Sequence, residues 1–270
     1  HQYKPNLMKK QKTLISILII NYNNGKLLAR SINSCLEQKY KNIEILIFDD
    51  KSNDNSKEIL HSYKKNKKVK IFFNKNKKKK IAALDAMNGY IRLFKKSKGT
   101  LICLLDSDDY FHKSKIKKIH KIFSNRKEID FVQNLPYIND KYKTEKKLNK
   151  NNPLSFWPYL APESCISFRK KFMNSFLKAN KNFTNRFEDI WLGFRMGVYA
   201  FFCVKKFYTI NMNLTFYESL GQSKKYRLFN KNWIVRRKNS FEYLKRISKN
   251  KNLLKKNWDY LITNFITKFY

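Results

Sequence analysis

Leu101-Ile102-Cys103-Leu104-Leu105 runs directly into Asp106-Ser107-Asp108-Asp109. Five apolar residues without a polar interruption fit a strand buried on both faces, and the carboxylates that end it fit a loop leaving the sheet. The same pattern occurs twice upstream. The apolar stretch Leu14 to Ile20 leads into Asn21-Tyr22-Asn23-Asn24-Gly25, and Ile43 to Phe48 stops at Asp49-Asp50. Val69 to Phe73 is a further β-branched and aromatic run. Between these runs the apolar spacing turns helical: Leu27, Leu28, Ile32, Cys35 and Leu36, then Ile59, Leu60 and Tyr63 behind the cap-forming stretch Ser52 to Asn55, then Ile81, Leu84, Met87, Ile91 and Phe94. Strand alternating with helix predicts an α/β fold with a parallel sheet covered on both faces. In such sheets ligands bind beyond the carboxyl ends of the strands, so the three polar strand ends are expected to line one crevice.

Composition supports a folded chain. Of 270 residues 42% are hydrophobic, including 22 Phe and 16 Tyr, which is too apolar for a disordered segment. The six glycines form neither G-x-G-x-x-G nor G-x-x-x-x-G-K-[ST], so neither glycine-rich phosphate motif is present. Cys35, Cys103, Cys165 and Cys203 are widely spaced without a C-x-x-C pair, and buried reduced thiols are expected. His61, His112 and His120 have no partner at ligand or triad spacing. The chemistry therefore falls on carboxylates. A cluster of them without histidine points to a hard cation, Mn²⁺ or Mg²⁺, bridging to a phosphorylated substrate.

With 59 Lys+Arg against 20 Asp+Glu the formal net charge is +39. The clusters at Lys64 to Lys70, Lys75 to Lys80 and Lys113 to Lys121 admit a polyanion surface, but they recur between apolar elements throughout and read mainly as solvated faces. No apolar run is long enough for a membrane span and the first residues lack a leader layout, so a cytoplasmic chain is expected, in peripheral contact with an anionic membrane at most. Beyond about residue 135, Pro136, Pro153, Pro158 and Pro162 interrupt regular structure. Helices are expected at Lys170 to Ala179, at Arg186 to Val198 and beyond Gly221, where Trp233, Phe241, Leu244, Trp258 and Phe265 mark an apolar face. The last helices are expected to pack on the core or to form a homodimer, with membrane contact as the next reading.

Four segments in this order resemble family 2 glycosyltransferases: Ile17-Leu18-Ile19-Ile20-Asn21-Tyr22-Asn23, Ile45-Leu46-Ile47-Phe48-Asp49-Asp50-Lys51-Ser52-Asn53-Asp54, Leu104-Leu105-Asp106-Ser107-Asp108-Asp109 and Phe187-Glu188-Asp189-Ile190-Trp191-Leu192-Gly193-Phe194-Arg195. The resemblance implies a GT-A fold: a mostly parallel, Rossmann-like sheet flanked by helices, with a C-terminal helical extension. It divides the chain into a nucleotide-sugar half (8–110), an acceptor half (111–224) and the extension (225–270). It also implies an inverting, metal-dependent transferase using a UDP-sugar donor and a surface-glycan or lipid-linked acceptor. Asn21 and Tyr22 would meet the nucleotide, with Tyr22 on the uracil and Asp49 accepting from its N3–H. Lys80 would lie near the nucleotide, Asp106 near the ribose or the metal, and Asp108 on the cation that bridges the phosphates. Asp189 would be the general base, and Asp50 a turn residue.

Two departures from the family pattern stand out. The stretch Phe216 to Ser223 lacks the histidine that relatives use near the metal, and Lys77 to Lys80 replace the usual glycine after the third strand. Trp157 and Trp191 admit either a sugar platform or core packing. A sugar nucleotidyltransferase would need a Gly- and Arg-rich loop after the first strand, which Asn21 to Gly25 is not. A nucleic-acid-binding protein would leave the acidic strand ends unexplained.

Overall fold

A computed structural model describes residues 13–76, 81–138, 156–183, 186–218, 230–248, 250, 252–255 and 257–269. The first half follows the apolar runs closely. It comprises β1 (Ile15–Asn21), α1 (Gly25–Leu36), β2 (Ile43–Asp49), α2 (Ser56–Ser62), β3 (Val69–Phe73), α3 (Ala82–Lys96) and β4 (Leu101–Asp106). Side-chain alternation decides which face each strand residue covers. Ile15, Ile17 and Ile19 of β1 pack with Leu28 and Ile32 of α1 and Leu60 of α2. Leu18, Leu46 and Leu104 point the other way, onto Leu84, Met87 and Tyr90 of α3.

Polar stretches separate these elements from a second half that sequence periodicity left largely unread. It contains β5 (Tyr110–Phe111), α4 (Lys115–Asn125), β6 (Phe131–Ile138), a 3₁₀ turn at Glu163–Cys165, β7 (Ile166–Arg169), α5 (Lys170–Asn180), α6 (Leu192–Val198), a π-helical segment at Tyr199–Cys203 and β8 (Phe207–Tyr217). The chain then forms α7 (Lys231–Ile247) and α8 (Trp258–Ile266). The eight strands form one sheet in the order β3-β2-β1-β4-β7-β6-β8-β5. β3, β2, β1 and β4 run parallel, β7 is antiparallel to β4 and β6, and β6 pairs parallel with β8.

Three local expectations need correction. The lysine run 113–121 is helix α4 in its larger part: Ile116, Ile119 and Phe123 form its buried stripe, and Lys115 is itself buried. The helix expected from Arg186 starts only at Leu192, because Phe187 takes a left-handed backbone (φ 57) that a continuous helix forbids. Glu188 and Asp189 therefore lie in the turn ahead of α6 and are not first-turn helix acids. Pro136, expected to interrupt regular structure, lies inside strand β6 of the main sheet, and Pro162 directly precedes the 3₁₀ turn that leads into β7.

Other expectations stand. Cys35, Cys103 and Cys165 are free and buried, and Cys203 is free and half-buried. Trp157 packs against Phe194, Phe202 and Phe241, with ring centroids 5.2, 6.0 and 4.9 Å away, so it belongs to the aromatic core. Phe241, Tyr243, Leu244 and Ile247 of α7 join the same hydrophobic cluster as β1, β2 and β4.

Candidate active site

Strand register brings the predicted residues together. Asn21 pairs with Asp49 across β1 and β2, and Ile20 pairs with Asp106 across β1 and β4, so the three polar ends finish at one level. The chain moves from β1 outward through β2 to β3, then returns to place β4 on β1's other side. This reversal opens a crevice at the carboxyl ends of β1 and β4, where parallel α/β sheets bind ligands.

The loops after β1 and β2 are interlocked. Asp49, fully buried, accepts from Asn21 Nδ2 (2.8 Å), Ser52 Oγ (2.6 Å) and the Ser52 N–H (3.1 Å). Asn23 and Lys51 both adopt left-handed backbone, and the Asn23 side chain accepts from the Asn53 N–H at 2.9 Å. Gly25 donates its N–H to Asp54 at 2.8 Å, in a space where a Cβ would collide with Asn55. Asn21 Oδ1 is buried without a hydrogen-bond donor among the described residues. Tyr22, immediately beyond, is 52% exposed at the crevice mouth. Asp50 accepts from Asn74 at 2.5 Å, and Asn74 in turn accepts from Arg92 at 3.0 Å. Asp50 thus holds the loop after β3, in keeping with a turn role. Lys80 lies outside the described residues, as do the other lysines of 77–80 and residues 219–223.

The acidic end of β4 is built by residues from distant parts of the chain. Asp106 accepts from the Tyr90 hydroxyl at 2.7 Å, and its N–H donates to Ser164 Oγ at 3.0 Å. Ser164 donates to Asp109 at 2.5 Å, and Asp109 also accepts from the Glu218 N–H at 3.0 Å. Beneath them the buried Lys115 ammonium donates to the Ser164 carbonyl (2.5 Å) and Thr215 Oγ1 (2.8 Å). Arg30 reaches in from α1, donating to the Asp108 carbonyl (3.0 Å) and to Glu218 (2.5 Å) while stacking over Tyr110.

These carboxylates crowd one another. Burial, then the charges of Glu163, Asp109 and Asp108, hold Asp106 well above the usual carboxylate range. Burial and the Asp108 charge push Asp109 up to about 7. Asp108 is raised by burial and by Glu218, with Arg30 opposing. Burial depresses the Lys115 ammonium to about 8 although neighbouring thiols and Asp109 favour its charge. The cluster is thus short of positive charge, and its donors are all oxygen, the donor set that Mg²⁺ and Mn²⁺ prefer. Among the described residues no three His, Cys, Asp or Glu side chains converge closely enough to cage an ion unaided. Two carboxylates completed by substrate phosphates is the arrangement such a site fits.

Asp189 belongs to a second region. It accepts from Asn239 Nδ2 of α7 at 3.0 Å and lines an open cleft of about 410 Å³ with Phe187, Glu188, Lys231, Val235 and Asn239. The turn carrying it is organised by Arg195, whose fully buried guanidinium donates to the carbonyls of Phe183 (3.0 Å), Arg186 (2.6 Å), Phe187 (2.8 Å) and Ile190 (3.1 Å). Glu163 links the two regions. It lies in the field of Asp106 and accepts at 3.0 Å from the N–H of Gly193, four residues beyond Asp189. A Cβ on Gly193 would come within 2.8 Å of the Ile166 terminal methyl and 3.1 Å of Glu163, so a larger residue here would have to displace Ile166 and press on Glu163. Arg236 of α7 also acts on Glu163. Glu163, Ser164, Arg30, Lys115 and Arg195 were not singled out from the sequence. Only Arg195 carried a local signal, as the last residue of the E-D segment.

A sheet with a switch-point crevice, acidic strand ends and a second carboxylate-bearing cleft is the GT-A type of arrangement. The family description "Glycosyl transferase family 2" matches residues 16–210, and the chain belongs to this family. It is 30% identical over 141 residues to an uncharacterised glycosyltransferase of Nostoc sp., covering 52% of this chain and 42% of that protein. It is 36% identical over 126 residues to WfaP of Escherichia coli, a UDP-Glc:α-D-GlcNAc-diphosphoundecaprenol β-1,3-glucosyltransferase, covering 46% and 47% of the two chains. These matches span less than half the length of either relative. Among solved structures, S. aureus TarS 1–349 with UDP-GlcNAc superimposes with a TM-score of 0.63 at 13% identity, over 93% of this chain and 72% of that one. The mannosyltransferase PcManGT of Pyrobaculum calidifontis, with GDP-Man and Mn²⁺, gives 0.58 at 12% identity, over 96% and 75%. The structural likenesses show the shared fold, and the family match over residues 16–210 shows the family.

Proposed function

We propose that this enzyme moves a sugar from a UDP-sugar to a hydroxyl of a surface-glycan or lipid-linked acceptor in a single inverting displacement. The observation that carries the reading is the register that sets Asn21, Asp49 and Asp106 at one level beside the switch-point crevice. Tyr22 stacks on the uracil, and Asp49, held by Asn21 and Ser52, accepts from its N3–H. Lys80, outside the described residues, is the basic residue that the family resemblance assigns to the nucleotide. Asp106 and Asp108 would hold Mn²⁺ or Mg²⁺, with the donor phosphates completing the oxygen shell. When bound, that ion neutralises charge on the departing nucleoside diphosphate. WfaP, by its name, acts with UDP-Glc on a diphosphoundecaprenol acceptor, TarS has been seen with UDP-GlcNAc, and PcManGT with Mn²⁺; these support the donor, acceptor and metal classes.

Asp189 takes the proton of the acceptor hydroxyl as that oxygen attacks the anomeric carbon. Asn239 fixes the orientation of its carboxylate, and the cleft around it receives the acceptor. The test is UDP release from a panel of UDP-sugars with a lipid-linked acceptor, comparing the parent with Asp189→Asn. Acceptor-dependent release, with inverted product and lost in the variant, is expected. Equal release by both would remove Asp189 from the reaction.

A further inference from the structure

We propose that α8 docks this enzyme on an anionic lipid bilayer, a reading that rests on the lipid-linked acceptor and adds the surface that reaches it. The helix is amphipathic but inside out. Its polar residues face the protein: Thr263 is buried and accepts from Arg237 Nε at 3.2 Å, and Asp259 pairs with the Arg237 guanidinium and accepts from the Phe156 N–H at 3.2 Å. Trp258, Leu261, Ile262, Phe265 and Phe269 face outward, each between 44% and 76% exposed. Trp258, Leu261, Ile262 and Phe265 recur at three- and four-residue steps on one face of the helix, and Phe269, just past its end, packs edge-on against Phe265. A stripe of this kind on a soluble surface marks an interaction site.

Charge identifies the occupant. Asp259 is the sole acidic residue of 257–269, and it is turned inward and paired with Arg237. The exposed flanks are cationic: Lys255 and Lys268 border the stripe, and Lys245 lies over Tyr260 on the adjoining helix. A second copy would bring the same positive flanks against these, within a chain of net charge +39. An anionic bilayer accepts both features, inserting the aromatic and aliphatic side chains below headgroups that pair with the lysines. At nine residues α8 is about 14 Å long, suited to lying in the interface. No described helix is long and apolar enough to cross a membrane.

The 270-residue chain is mixed with phosphatidylcholine vesicles, with and without phosphatidylglycerol, at physiological ionic strength, and co-sedimentation is measured. Binding only to the anionic vesicles is expected, weakened about tenfold or more in an Ile262→Ser/Phe265→Ser variant. Undiminished binding by that variant would show that net charge alone carries the contact and would overturn the assignment. Brominated lipid should quench the fluorescence that Trp258→Phe removes, and absence of quenching in the parent would also overturn it. A parent dimer that the double variant dissociates would reassign the face to a contact between copies. UDP titrations of parent and variant should coincide; a parent that binds vesicles but not UDP would sink the donor-site reading and leave the docking surface standing.

Discussion

At the scale of single residues, charge in a confined space governs the candidate site. Asp189 sits ahead of α6, held by Asn239 Nδ2, and in the proposed reaction it takes the acceptor's proton. Asp189→Asn is therefore expected to lower turnover by about 10²–10⁴-fold while leaving UDP affinity unchanged. A parallel loss of UDP binding would mean that the residue is structural. Lys115 offers a pH signature. An unfolded lysine titrates near ~10.4, whereas burial brings this one to about 8. Between those values the unfolded chain keeps a proton that the folded chain has released, so through this group stability rises with pH from about 8 upward. Lys115→Met removes that dependence. The parent's unfolding free energy should thus gain on the variant's between about pH 7.5 and 9.5, by roughly 1–3 kcal/mol; a constant gap would contradict the burial argument. Sequence reading singled out Asn21, Asp49, Asp106, Asp108 and Asp189 as candidates because each ends or follows an apolar run or a recognisable segment. It missed Arg30, Lys115 and Glu163 because their partners are remote: Arg30 meets Glu218 188 residues away, and Lys115 meets Thr215 100 residues away.

Elements were legible wherever their apolar residues were continuous or strictly periodic. β1 to β4 and α1 to α3 satisfy this, and β3 matches its expected range of Val69 to Phe73. The later strands do not. β6 buries Gln133 and Asn134 and contains Pro136, while β8 interleaves Asn211 and Asn213 with its apolar residues, so neither pattern reads as a strand without its partner. Polar atoms inside β6 are satisfied tertiarily: Gln133 Nε2 donates to the Tyr159 carbonyl at 2.9 Å, and Asn134 Nδ2 to Thr215 at 3.1 Å. The turn before α6 was hidden for a similar reason, since its shape depends on Arg195 reaching back to four carbonyls. Arg195→Met leaves those carbonyls without their donor and should destabilise the chain by about 2–4 kcal/mol. Turnover should fall further than the folded fraction, because the Asp189 turn loosens first. Equal losses in thermal melts and in activity would indicate that Arg195 supports only global folding.

For the whole molecule, α7 matters more than a label of extension implies. Phe241, Tyr243 and Leu244 are buried in the cluster that backs β1, β2 and β4, while Asn239 and Arg236 of the same helix act on Asp189 and Glu163. Core packing and site assembly are thus served by one element. Removing residues 231–270 exposes the aromatic cluster around Phe156, Trp157 and Phe202, and is expected to give an aggregating product without a cooperative melt. A soluble, cooperatively melting truncation would show that α7 is dispensable.

The crevice at the ends of β1, β2 and β4 is proposed to hold a uridine diphosphate through Asn21, Tyr22, Asp49 and a cation on Asp106 and Asp108. Calorimetric titration of UDP into the protein, with and without Mn²⁺ and alongside Asp108→Ala, tests it most directly. The account predicts binding that is strengthened by Mn²⁺ in the parent and loses that metal dependence in Asp108→Ala. Absence of UDP binding under every condition, or metal-dependent binding that survives the substitution, would contradict it.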